Sequence, residues 1–193
     1  MKTASIILSI GFVLLFPFIS KAQHKYEREF RIKTETIPQS AKDFIDSISA
    51  DSKIKWYKEI SLNDITLEAK FKYNKKKFSV EFDTLGKLQD VEFVIKKREI
   101  SPKVYNKIER KLDSVYQKWK FQKIQIHYSG KSSHIIAAIR KNEPSDSIKI
   151  AYEIVLKGKN LEDTQLYEIT FNEQGEVQNM LQIIQDKADH LEY

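Results

Sequence analysis

One β-hairpin is written twice in this chain. The segment Phe78-Ser79-Val80-Glu81-Phe82-Asp83-Thr84-Leu85-Gly86-Lys87-Leu88-Gln89 returns 89 residues later as Tyr167-Glu168-Ile169-Thr170-Phe171-Asn172-Glu173-Gln174-Gly175-Glu176-Val177-Gln178. Apolar positions, turn length and the turn glycine coincide, so the second copy constrains the architecture before any other feature is weighed. Asp83-Thr84-Leu85-Gly86 and Asn172-Glu173-Gln174-Gly175 each fit a type I turn closed by a left-handed residue. Glycine takes that conformation without steric cost, and two of the five glycines stand at these equivalent places.

The sequence around the hairpins is patterned in the same way. Ile54, Trp56 and Ile60, then Ile65, Leu67, Ala69, Phe71 and Tyr73, then Phe78, Val80 and Phe82 occupy alternating positions. Period two predicts antiparallel strands with one buried and one wet face. The following strand, Lys87 to Lys96, is less regular; Leu88 and Val91 share a face only across a bulge. Two proline-opened helices precede the copies. After Ile37-Pro38, Ala41, Phe44, Ile45 and Ile48 make one stripe; after Ser101-Pro102, Val104, Ile108, Leu112, Val115 and Trp119 make another. Later strands are expected around Lys120–Tyr128, Ser147–Lys157, Gln165–Asn172 and Glu176–Gln185, with His134 to Arg140 as an inserted strand. The pattern predicts an α+β fold: a two-layer arrangement with an antiparallel sheet of about eight strands and helices packed on one face, built from two tandem α-β-β-β-β repeats. Its segments are 1–22 (signal peptide), 23–36 (an arm or edge strand), 37–98 (repeat 1), 99–185 (repeat 2) and 186–193 (tail).

The first segment reads as an address. Lys2 precedes an apolar run from Ile6 through Phe18, and Ser20-Lys21-Ala22 is a small-x-small cleavage site. This predicts export with cleavage before Gln23, and hence a periplasmic or secreted protein without a membrane span after cleavage. There is no cysteine, which excludes disulfides, thiolate metal sites, cysteine nucleophiles and an N-terminal lipid-modified cysteine. Removing Lys2 and Lys21 lowers the net charge from +6 to +4. So mild an excess, interleaved with acids, argues against nucleic-acid binding.

With these motifs in hand, the chain resembles the PepSY-like family of secreted bacterial proteins, which adopt a fold similar to the β-lactamase inhibitor protein. The residues carrying the resemblance are Ile37-Pro38, Trp56, Phe78-x-Val80-x-Phe82-Asp83-x-x-Gly86-Lys87, Ser101-Pro102, Tyr152-Glu153-Ile154 and Tyr167-x-Ile169-x-Phe171-Asn172-x-x-Gly175. It spans roughly residues 30 to 185. It implies an antiparallel sheet with helices on one face, and peptidase inhibition by association; it transfers no catalytic residue.

No catalytic constellation emerges. The four histidines, His24, His127, His134 and His190, have no metal-site spacing, and Asp43 with Asp46, or Glu162 with Asp163, read as solvated. No Gly-x-Ser-x-Gly elbow or phosphate loop is present. Neither a cofactor nor a metal is expected. The leading expectation is a non-enzymatic exported binding module, a peptidase inhibitor or regulator of envelope proteins, with a small-ligand carrier or an envelope enzyme as alternatives. Its partner would be an envelope or secreted protein or peptide. The wet face, carrying Thr66, Glu68, Lys70, Lys72, Ser79 and Glu81, would be the binding surface. Lys70 and Lys72 are its candidate contacts, and Lys75, Lys76 and Lys77 form the expected hairpin tip.

Overall fold

The computed structural model describes residues 23–49, 51–62, 64–141, 146–160 and 163–184. The signal segment 1–22, the tail 186–193, His190 and Glu162 lie outside the described residues. In chain order the elements are β1 (Gln23–Lys25), β2 (Glu27–Ile32), α1 (Gln39–Ser49), β3 (Lys55–Ser61), β4 (Ile65–Tyr73), β5 (Lys76–Phe82), β6 (Leu88–Val94), α2 (Pro102–Val115), β7 (Lys118–Gly130), α3 (Ser132–Lys141), β8 (Ile148–Lys159), β9 (Thr164–Asn172) and β10 (Val177–Ile183).

All ten strands belong to one sheet, in the order β1-β10-β9-β8-β7-β6-β5-β4-β3-β2. Its two outermost strands are neighbours in sequence, separated only by Tyr26. β1 pairs β10 in parallel and β2 pairs β3 antiparallel. A continuous chain can serve both edges only if the sheet curls until they meet. The right-handed twist of strands supplies that curl. The result is a nearly closed, barrel-like mixed sheet, sealed by the segment 23–32.

The helices lie outside the curve. α1 buries Ala41, Phe44, Ile45 and Ile48, and the Phe44 ring meets Phe82 edge-on at 5.7 Å. α2, capped by Ser101 Oγ accepting from Val104 N, buries Tyr105, Ile108 and Leu112. The strand residues facing them include Trp56, Val80, Phe82, Val91, Ile154, Ile169 and Phe171. Each such side chain contributes about 1.5–3 kcal/mol on burial. The two hairpin turns are alike bond for bond. Gly86 N donates to Asp83 O and Gly175 N to Asn172 O, both at 2.9 Å. Asp83 Oδ1 accepts from the backbone of Leu85 and Lys87, as Asn172 Oδ1 does from Gln174 and Glu176. Each turn packs on the start of a helix: a Cβ on Gly86 would meet Ser40 Oγ at 2.5 Å, and one on Gly175 would meet Val104 O at 2.9 Å.

Three expectations are corrected. The sheet has ten strands of mixed direction and closes on itself, rather than forming a layer of about eight antiparallel strands backed by helices. Residues 132–141 form α3, not an inserted strand: Ile135, Ala138 and Ile139 are spaced for a helix and are its buried residues. Helix α2 ends at Val115, so Trp119 belongs to β7, where its indole Nε1 donates to Asp113 at 2.8 Å. The arm 23–36 is strand from Gln23 to Ile32, apart from Tyr26, because both sheet edges offer it hydrogen bonds. In β6 the register shifts between Phe82↔Leu88 and Glu81↔Asp90, so Gln89 is an extra residue and Leu88 and Val91 both turn to the helix side.

Candidate functional site

Curling the sheet turns its second face inward. Each of the ten strands contributes at least one residue to the wall of a lumen of about 1010 Å³. Such volumes are typical of small-ligand pockets, but this lining is unusually charged. It holds Glu27, Glu29, Glu59, Glu68, Glu81, Glu92, Glu153 and Glu168, opposed by Lys25, Lys53, Lys55, Lys70, Lys72, Lys77 and Lys123. Apolar side chains, among them Val94, Val155, Leu166 and Ile183, also line it. The cavity therefore lies on the far side of the sheet from the helices, not between helices and sheet.

Register sets the carboxylates side by side. Glu29 stands opposite Glu59, Glu68 opposite Glu81, and Glu81 opposite Asp90. Like charges directly across a ladder are destabilising, and burial away from water adds to the cost. Burial, with the charges of Glu27, Glu68 and Glu29, raises the Glu59 carboxyl to about 7. The same cause, joined by Asp90, Glu59 and Glu68, raises Glu81. Glu92 is raised well above the carboxylate range by burial, then by Glu153, Asp90 and Glu81. Glu153 is raised by burial and by Glu168.

Two lysines answer part of this charge. Lys25 Nζ sits 2.8 and 2.9 Å from the two Glu168 oxygens and 3.0 Å from Glu27 Oε1. Lys70 Nζ lies 2.6 Å from Glu29 Oε1 and 2.9 Å from Glu68 Oε2. Ser79 Oγ donates to the other Glu68 oxygen. Burial opposes both ammonium charges, yet the neighbouring carboxylates outweigh it and hold both lysines above their ordinary pKa. Glu29, Glu59 and Glu68 could together surround a metal ion, but the Lys70 ammonium already bridges two of them.

Further round the sheet, Gln125 Nε2 donates to Glu92 Oε2 at 2.6 Å, while Gln125 Oε1 has no partner although the residue is only 3% exposed. His127 Nε2 lies 3.4 Å from Asp90 Oδ2. Burial lowers this imidazole's pKa, but the Asp90 contact and the charges of Asp90 and Glu153 carry it above its usual value. His134 sits on α3, so it does not flank a hairpin with His127.

The lysines singled out from sequence scatter. Lys70 lies inside the lumen and Lys72 at its exposed lip. The tip of the β4–β5 turn is Asn74-Lys75, both at positive φ (46° and 64°), the pair of left-handed residues a tight two-residue hairpin needs. Lys76 and Lys77 are already strand. Lys76 turns outward, its Nζ 4.6 Å from the Phe93 ring centroid and 3.5 Å from Glu99; Lys77 turns to the lumen, opposite Lys72. The face expected to be broadly exposed is largely covered: Thr66 is 7% and Glu68 4% exposed. Sequence reading missed Lys25, Glu29, Glu59, Asp90, Glu92, Gln125, Glu153 and Glu168 as one group. The available signal was the acids two residues apart on one strand face, Glu27 with Glu29 and Asp90 with Glu92.

The geometry now has counterparts among solved structures. The chain is similar to a DUF2874 family protein from Bacteroides ovatus, at TM-score 0.50 and 17% identity over 81% of this chain and 94% of that one. It is similar to another from Bacteroides uniformis, at TM-score 0.51 and 16% identity over 75% and 88%. The fold is shared. A BLIP-like protein from Bacteroides fragilis stands further off, at TM-score 0.47 and 14% identity over 79% and 90%. None of these descriptions names an enzyme or carries the PepSY name. No protein-family model and no curated protein matches the chain. Among the described residues no helix is long and apolar enough to cross a membrane.

Proposed function

We propose that this is an exported binding module that receives a polar ligand in the lumen of its curled sheet. Export rests on the Lys2, Ile6–Phe18 and Ser20-Lys21-Ala22 pattern. The observation that carries the ligand reading is a cavity of about 1010 Å³ whose wall keeps several carboxylates half-buried and mutually repelling. A stability-optimised wall would separate or neutralise those groups; strained charge at a cavity is the usual mark of a working site. Of the earlier alternatives this favours the small-ligand carrier, with the ligand held by the polar face that carries Glu68, Lys70, Lys72, Ser79 and Glu81. Peptidase inhibition draws support from the resemblance alone.

The test is native mass spectrometry of the protein purified gently from its own cell envelope. The expected result is a bound species of small-molecule mass that Val155→Trp, which fills the lumen, eliminates while circular dichroism stays unchanged. A protein that carries nothing, or whose bound species is indifferent to Val155→Trp, would remove the lumen as the site.

A further inference from the structure

Two of the lumen's acid groups are already satisfied in one way: an ammonium sits between two carboxylates, Lys25 between Glu27 and Glu168, and Lys70 between Glu29 and Glu68. A third group has the same acids and no such lysine. Glu81 and Asp90 face each other across β5 and β6, Glu92 follows on β6, and Glu153 stands opposite Gln125. Among the described residues no lysine or arginine comes within ion-pair distance of these four carboxylates; Lys25 and Lys123 act on them only through their charge, and Asp90 has His127 Nε2 at 3.4 Å. Beside them the buried Gln125 keeps an unpartnered carbonyl oxygen, an acceptor awaiting a donor. An ammonium would supply donors to Gln125 and to the carboxylates at once.

The lip of the same cavity has the opposite sign. Lys72 and Lys77 face each other across β4 and β5, exposed, with exposed Lys53 and Lys55 also lining the opening. A free cation would be repelled there. A ligand that is positive at its inner end and negative at its outer end would be welcomed at both. Along β4 the lip is four residues from the acid row, Lys72 against Glu68, which is about 13–14 Å at strand rise. An extended chain of four residues spans about the same length.

On the reading of the lumen as a ligand site, we infer that the ligand is a zwitterion of short-peptide size. Its ammonium enters the Glu81/Glu92/Glu153 group beside Gln125, and its carboxylate stays at Lys72 and Lys77. Val94, Val155 and Leu166 offer the intervening backbone and side chains an apolar wall.

The experiment uses tetra-alanine in three forms, with free termini, N-acetylated, and C-amidated, and measures melting shift and calorimetric affinity on the full mature chain. The free peptide should raise the melting temperature. N-acetylation should abolish the effect, and C-amidation should weaken it about tenfold or more, the loss expected for one charge-assisted contact. Glu81→Gln with Glu92→Gln should lose the free peptide's effect while leaving the unliganded melt unchanged or higher, since it relieves like-charge repulsion. Lys72→Gln with Lys77→Gln should bind the free and amidated peptides alike, because the pair no longer reads the carboxylate. Equal binding of the acetylated and free forms would overturn the inference, as would tighter binding of the amide. So would stabilisation by calcium chloride through the same acids with no peptide effect. If all three peptides fail while Val155→Trp still expels a co-purified species, this ligand class is wrong and the lumen site stands; if that species is absent too, both readings fall.

Discussion

At the scale of single residues, the two turn glycines and the lumen acids make opposite commitments. Gly86 and Gly175 adopt φ of 82° and 79° with helix atoms pressed against their missing Cβ. Alanine at either place strains the backbone and displaces the start of α1 or α2. A loss on the order of 1–3 kcal/mol is expected for each, larger at Gly86, where the contacts are shorter; urea midpoints of the two variants check it. Glu59 carries the reverse burden. Its carboxyl, raised to about 7 from an ordinary 4.5 by burial and by three neighbouring glutamates, keeps a proton that the unfolded chain has already lost between those pH values. Folded stability therefore falls as pH rises through that window. His127, raised by Asp90, changes stability in the same direction. The protein should melt higher at pH 5.5 than at pH 8. Glu59→Gln should reduce the difference by on the order of 1 kcal/mol once solvent screening is allowed for, and an unchanged pH profile in that variant would assign the effect elsewhere.

Among the elements, the segment 23–32 has the greatest leverage for its size. It gives β1 only three residues against β10 and β2 six against β3, yet it joins edges that would otherwise be exposed to other chains. Lys25 anchors it from within. Lys25→Met removes the partner of Glu168, which is 9% exposed at its side chain, and leaves that carboxylate buried and uncompensated. A destabilisation on the order of 1–3 kcal/mol is expected by chemical denaturation. Hydrogen exchange should quicken first in β10 and β3, and uniform exchange across the sheet would mean that the seam does not open separately.

For the molecule as a whole, closure makes the β5–β6 and β9–β10 hairpins depend on one another. β6 pairs β7 across the middle of the sheet, and β1 returns to β10. Residues 23–98 and 99–193 expressed apart would each expose two strand edges and half of the polar lumen. At least one half should be poorly folded by circular dichroism and heteronuclear NMR, whereas the intact chain should melt in one transition. Two sharply melting halves would contradict this.

Much of the local structure was legible in the sequence because it depends on neighbours in the chain. Alternating Leu67, Ala69, Phe71 and Tyr73 specify a strand with one core face; Ala41, Phe44, Ile45 and Ile48 specify a helix stripe; Asp83 and Gly86, like Asn172 and Gly175, specify a turn. Residues 132–141 were misread because a short apolar run is compatible with either period, and its packing decides. The site was hidden for a different reason. Period two separates two faces but does not say whether the polar one meets bulk water or another part of the same sheet. That was settled by residues far apart, when β1 reached β10 and β2 reached β3 and the polar face became the inside. Glu81 beside Asp90, Gln125 beside Glu92 and Lys25 on Glu168 follow from register and closure. Alternation determined which residues share a face; only the tertiary structure decided that this face encloses a charged cavity.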